Sequence, residues 1–199
     1  MVLFIEVGCL RGKDNELVIK ELAFVKVVSL LNAGKLSSNN VIRSFIFQYP
    51  YWHCNLSESV KRTNRWCTEN LHNLRWSDGV VPYSYLHRIL IDFIHKHSEG
   101  VVYTKGSEKV SVLQNILLSN QKTSFRRSGE EITIDIRDLD NYSCPKLDSE
   151  YFQELKRQRS NDNLLNTLCG FDHQGKDCAL NKAVKYNYWF RNNEITCSC

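Results

Sequence analysis

The sequence predicts one α/β domain, a mixed β-sheet flanked by helices. Three features point there. Apolar, β-rich segments come first, at 2–7, 17–30 and 41–48, close enough together to form an antiparallel meander. Helical and strand-like segments then alternate, which calls for strands joined through helices packed on the sheet. No Pro/Gly/Ser-rich linker divides the 199 residues, so a single domain over 1–192 with a tail at 193–199 is expected.

Val2-Leu-Phe-Ile-Glu-Val7 is the first strand, ended by Gly8. Asp14-Asn15 supplies a turn before the second strand, and Asn39-Asn40 precedes the third. Asn55 is placed to cap a helix over 56–70. Asp78-Gly79 marks a loop tip, and Pro82 suits the first turn of a helix running to His97. Leu86, Ile89, Leu90, Phe93 and Ile94 share one face of that helix. Val101-Val-Tyr103 is a strand, Gly106-Ser107 opens a helix through Leu118, and Ile132–Ile136 is another strand. Residues 148–168 are partly helical, and a last helix over 179–191 turns Val184, Tyr188 and Trp189 inward.

Hydrophobic residues make up 42% of the chain and charged ones 24%, an ordinary globular balance that argues against extended disorder. The net charge of +4 permits a nucleic-acid partner without requiring one. Basic residues cluster at Lys61, Arg62 and Arg65, at Arg126 and Arg127, and at Lys156, Arg157 and Arg159. A solvated face is the plain reading of each. The first residues lack a basic leader segment, and no apolar run approaches the ~20 residues of a membrane span. Eight cysteines without a secretory signal suit a reducing compartment, cytoplasm or nucleus, where thiols serve as metal ligands or core residues. Cys197-Ser198-Cys199 reads as a frayed tail, with a metal or redox pair as the lesser alternative.

The densest chemistry lies in Leu168–Leu180, where Cys169, His173 and Cys178 are separated by three and four residues. Thiolate and imidazole are the ligands zinc prefers, and such spacing lets one loop fold round an ion. The competing reading, two core cysteines beside an exposed histidine, fits poorly with the intervening Gly, Asp, Gln and Lys. A closed site needs a fourth ligand. Glu6, an acid inside an apolar strand, is the first candidate, since a buried carboxylate needs a partner. Cys144 is its rival, and an edge-strand Glu6 facing solvent is the alternative without metal.

At these residues the chain resembles a known family. The element order is that of the ribonuclease H-like fold. In its histidine-containing acidic exonucleases a first-strand acid and a late His-x4-Asp supply the catalytic site. Here Cys178 stands where that aspartate would be, as His173-x4-Cys178. The Maelstrom domain of the piRNA pathway carries the same departure, a Glu-Cys-His-Cys set that binds zinc. Glu6, Cys169, His173 and Cys178 match that set in type and order. The Cys178-Ala-Leu180 run and the strand exit at Val102-Tyr-Thr-Lys-Gly106 are similar too. The likeness is to free-standing relatives in arthropod viruses and mobile elements.

The resemblance implies a zinc-stabilised domain whose two-metal hydrolysis is lost, because a filled Glu-Cys-His-Cys shell holds no activated water. It implies binding of single-stranded RNA, in or against RNA silencing. It also brings in a second reading, a single-strand ribonuclease independent of magnesium, using groups such as His72. A protein-interaction factor is the third. Asp78, Asp135, Asp138, Asp172 and Asp177 are available acids, each with a plainer reading as turn, cap or solvated edge. For RNA, Lys61, Arg62, Arg65 and Trp66 are the expected contacts, because bases stack on aromatics beside cations. Tyr49–His53 has a similar mixture, and the competing reading places Trp52 and Trp66 in the core.

Overall fold

The computed structural model describes residues 2–26, 41–119, 124–127, 130–158 and 178–193, without side chains at 124–127, 130 and 155–158. The expected meander is present. Strand β1 (Leu3–Arg11) pairs antiparallel with β2 (Leu17–Lys26), and β2 with β3 (Val41–Ile46). Strand β4 (Val101–Thr104) then adds parallel to the other side of β1. After the separate hairpin β5–β6 (Ser124–Arg127, Glu130–Thr133), β7 (Asp135–Asp138) adds parallel to β4. The sheet order is β3-β2-β1-β4-β7 and only β2 runs against the rest.

Helices cover both faces. On one, α2 (Leu86–His97) and α3 (Ser107–Leu118) bury Leu86, Leu90, Ile94, Leu113 and Leu117 against Leu3, Ile5, Val7 and Phe24. On the other, α4 (Glu150–Gln158) contributes Phe152 and α5 (Ala179–Asn192) contributes Leu180, Tyr186, Trp189 and Phe190, packed on Phe4, Val25 and Tyr103. The period-2 alternation of β1 therefore serves two cores. Helix α1 (Glu58–Cys67) lies at the far end of β1, where Val60 joins Leu10, Val18 and Trp76 in a third cluster. No helix among the described residues is long and apolar enough to cross a membrane.

Several boundaries differ from expectation for local reasons. β1 does not stop at Gly8. The ladder slips there: Gly8 faces Glu21, Cys9 faces Ile19, and Lys20 is the extra residue on β2. Ser57, not Asn55, caps α1, accepting the Val60 N–H at 3.4 Å. The helix then widens into a π-turn, Thr68–His72. The expected strand at 132–136 is two strands, because its first half pairs in the hairpin and its second joins the sheet. On α5, Trp189 faces inward, but Val184 and Tyr188 are half-buried while Tyr186, Asn187 and Phe190 are buried. Gly79 is needed at its loop tip: φ is +119°, and a β-carbon would lie 2.2 Å from the Phe47 carbonyl oxygen.

Candidate functional site

The acid predicted to carry metal chemistry, Glu6, sits in a central strand with 1% of its surface exposed, so the solvent-facing edge reading is wrong. Its carboxylate is fully engaged at the carboxyl end of β4. One oxygen accepts the Lys105 N–H at 3.0 Å and the Thr104 hydroxyl at 3.3 Å. The other is ion-paired with the Lys109 ammonium, from the first turns of α3. Lys109 is the residue that sequence reasoning missed. It stands 103 residues from Glu6, and no local pattern announces the pair.

Cys178 is buried at the N-cap of α5, where its sulfur accepts the Asn181 N–H at 3.5 Å. The carboxylate that reaches this corner is Glu21 of β2. It accepts the Ala179 N–H at 2.9 Å with one oxygen and the Ser44 hydroxyl at 2.9 Å with the other. A carboxylate at a helix N-terminus is favoured by the helix dipole. Cys144 belongs to the same apolar cluster as Cys178. Burial pushes its thiol up to about 12, with Lys105 pulling the other way. Cys169 and His173 lie outside the described residues, as do Asp172, Asp177 and the tail from 194. Among the described residues no group of three His, Cys, Asp or Glu side chains is arranged to hold a metal ion. Glu6, as held, offers no free oxygen, and a metal there would have to displace Lys109.

The remaining acids have structural work. Asp78 accepts the Arg75 N–H at 2.7 Å, closing a turn. Asp138 accepts the N–H groups of Gly106 and Asp140, at 2.8 and 2.9 Å. Asp135 pairs with Arg137 at 2.6 Å. His72, named above as a group free to do chemistry, is buried with both ring nitrogens bonded to backbone.

The aromatic and basic residues form a different setting. Trp52 and Trp66 are not core residues: 67% and 56% of their surfaces are exposed. In this part of the chain the buried tryptophan is Trp76, whose ring packs near Tyr51 and donates to its carbonyl at 3.1 Å. Helix α1 turns Val60 and Asn64 inward, and the Asn64 amide clamps both backbone groups of Arg11, at 2.7 and 2.8 Å. That fixes the outward face, on which Arg62 and Trp66 lie one turn apart with Arg65 beside them, all exposed. Lys61 is half-buried and pairs with Glu58 at 2.7 Å. Trp52 stands in the preceding loop with its ring 5.3 Å from Tyr49. A cleft of about 510 Å³ also opens beside β7, but the side chains of Asp135, Arg137 and Asp138 on its wall are already bonded to neighbours. The chain matches no protein-family model and no curated protein.

Proposed function

We propose that this domain binds single-stranded RNA through the outward face of α1, on a ribonuclease H-like scaffold without acidic metal catalysis. The observation that carries the binding reading is Trp66, an indole left more than half in water with Arg62 and Arg65 beside it. Burial would stabilise such a ring by a few kcal/mol. An exposed one among cations offers bases a stacking surface with phosphate-attracting charge next to it. The scaffold reading is supported by the meander followed by two parallel strands, the order the family resemblance calls for. The loss of metal catalysis is supported by the Lys109 ammonium on the first-strand acid.

The zinc expectation on Cys169, His173, Cys178 and Glu6 belongs to the same proposal. Stoichiometric zinc in the purified folded protein supports it, and its absence ends it. Loss of the metal in Glu6→Gln but not in Cys144→Ser assigns the fourth position to Glu6, and the reverse assigns it to Cys144.

The test of binding is a titration of labelled single-stranded and duplex RNA at several salt concentrations. Preference for the single strand, with affinity falling steeply as salt rises, is the expected result. A specific observation also favours a protein partner. Trp52, Trp66, Leu71, Val80 and Tyr85 are exposed large apolar residues within one stretch of chain. Absence of RNA affinity at low salt would leave that reading in possession. RNA cleavage seen only with magnesium, and lost on changing Asp135 or Asp138, would overturn the non-catalytic reading.

A further inference from the structure

The π-turn at Thr68–His72 follows directly on α1, the helix that carries Arg62, Arg65 and Trp66. Such turns are rare and need local support. Support here comes from three residues. Asn73, in the left-handed region at φ 55°, donates its N–H to the Thr68 carbonyl at 3.0 Å. The Thr68 hydroxyl donates to the Leu74 carbonyl at 2.6 Å. The third is the His72 ring. The Leu74 N–H donates to Nδ1 at 3.1 Å, so Nδ1 carries no proton, and the neutral ring holds its proton on Nε2, 3.1 Å from the Cys9 carbonyl. Cys9 lies at the register slip in β1. One imidazole thus ties the end of the α1 segment to the irregular point of the central strand, and it can do so only as this neutral tautomer.

We propose that His72 is a proton-sensitive latch. Protonation at Nδ1 sets two donors against each other, because the Leu74 N–H still points at the ring. Leu74 is buried, so its N–H has no ready water to turn to. The bond breaks, the turn 68–74 loosens, and α1 keeps its Asn64 clamp but loses the support at its C-terminal end. Among the described residues, the charged and titratable groups on the surrounding elements have partners of their own or face outward. On β2, the Glu21 carboxylate lies with Leu74 over Gly8 and is bonded to Ser44 and Ala179. Lys20 on the same strand donates to three carbonyls. On β1, Glu6 pairs with Lys109 and Arg11 with Glu108, and the Cys9 thiol is pushed up by burial. On the segment itself, Arg65, Glu69 and Arg75 are exposed, Cys67 is half-buried, and Asp78 closes the turn at Arg75.

The latch would control the RNA surface, and in that respect it rests on the function proposed above. Its test therefore reads the latch separately. Amide hydrogen exchange at Leu74 is followed in the full chain at about pH 7.5 and about pH 5.5, which bracket the ordinary histidine range. His72→Asn is the comparison, because a side-chain amide oxygen can accept the N–H two residues on and cannot be protonated in this range. In the wild type the Leu74 protection factor should fall by about tenfold on acidification, the size expected for losing a local tether. In His72→Asn it should not change. Constant wild-type protection, or an equal fall in the variant, overturns the latch. Single-stranded RNA affinity is measured in parallel. A wild-type fall matched to the loss of protection, and absent in His72→Asn, extends the latch to the RNA face. No RNA binding at either pH, with protection still lost only in the wild type, leaves the latch standing and overturns the RNA reading instead.

Discussion

The buried charges of this chain and the exposed charges of α1 follow opposite rules. Inside, Glu6, Lys20 and Glu21 are all but removed from water, and each is bonded to partners from distant parts of the chain. On α1, Arg62 and Arg65 stand in solvent beside an exposed indole. A buried charge must be compensated or the fold does not form. A cation on a helix face costs nothing to leave free, so its purpose is sought outside the molecule. The sequence features most suggestive of chemistry, acids in apolar strands, thus mark internal clamps here. The features that look like ordinary solvated surface are the ones open to a ligand.

The largest effect should come from breaking a clamp on one side. Lys109→Met strands the Glu6 carboxylate in the interior. Removing one partner of a buried pair typically costs about 3–5 kcal/mol. With 26% of the Lys109 side chain exposed, the lower end is expected, about 3 kcal/mol by denaturant unfolding. Where Lys109 and not zinc holds Glu6, adding Glu6→Gln should return much of it, since no buried charge remains; where Glu6 ligates zinc, the double variant should instead lose the metal and stay destabilised. RNA affinity should be unchanged in both.

Lys20 gives the next effect. As the extra residue of the β2 slip, it is re-aimed so that its ammonium donates to the carbonyls of Phe47, Trp76 and Asp78, at 2.6, 2.9 and 2.6 Å. Lys20→Met leaves these acceptors without that donor, at an expected loss of about 2–3 kcal/mol. Burial pulls the Lys20 ammonium down to about 8, with Asp78 opposing. The folded state therefore releases this proton before the unfolded state does. Its contribution to stability should rise with pH, beginning near 8 and ending near the ordinary lysine value of about 10.5. The Cys144 thiol, pushed up to about 12, acts oppositely, and its contribution falls as pH passes the ordinary thiol value of about 9. Comparing wild type with Lys20→Met over this range isolates the lysine. A difference that shrinks with rising pH would contradict the assignment.

These clamps show how much could be read in the sequence. The meander, the α2 face and the start of α3 follow from apolar periodicity and turn residues, which act over a few positions. The same rule that singled out Glu6, an acid inside an apolar strand, applies equally to Lys20 and Glu21, and applying it there would have found two more buried charges. Their partners could not be read, because Lys109, Asp78 and Ala179 reach them only after the sheet and helices have assembled. Trp52, Trp66 and Trp76 show the same limit. Side-chain type does not separate them, and only the packing of Trp76 against Tyr51 shows which one is core. The metal cluster was the clearest local pattern, but of its expected ligands only Glu6 and Cys178 fall in the described chain.

The connection between the two regions is Asn64. Asn64→Ala removes both bonds to the Arg11 backbone and should cost about 1–2 kcal/mol. Because this amide orients α1, the change should also weaken RNA binding, which no clamp mutation far from α1 should do. Equal affinity in wild type and Asn64→Ala would show that the orientation of the helix is irrelevant to binding. The smallest effect expected on stability is at Trp66. Its exposed ring contributes little to folding, so Trp66→Ala should stay within about 0.5 kcal/mol of wild type.

The most direct test sets affinity for single-stranded RNA beside unfolding free energy for two variants, Trp66→Ala and Lys109→Met. Stacking of one base on an aromatic is worth about 1–3 kcal/mol, so Trp66→Ala should weaken binding by roughly tenfold or more while folding is unchanged. Lys109→Met should lower stability by about 3 kcal/mol while the folded protein binds as before. Affinity untouched by Trp66→Ala but abolished by Lys109→Met would contradict this division, and would place the RNA at the Glu6 end of the sheet rather than on α1.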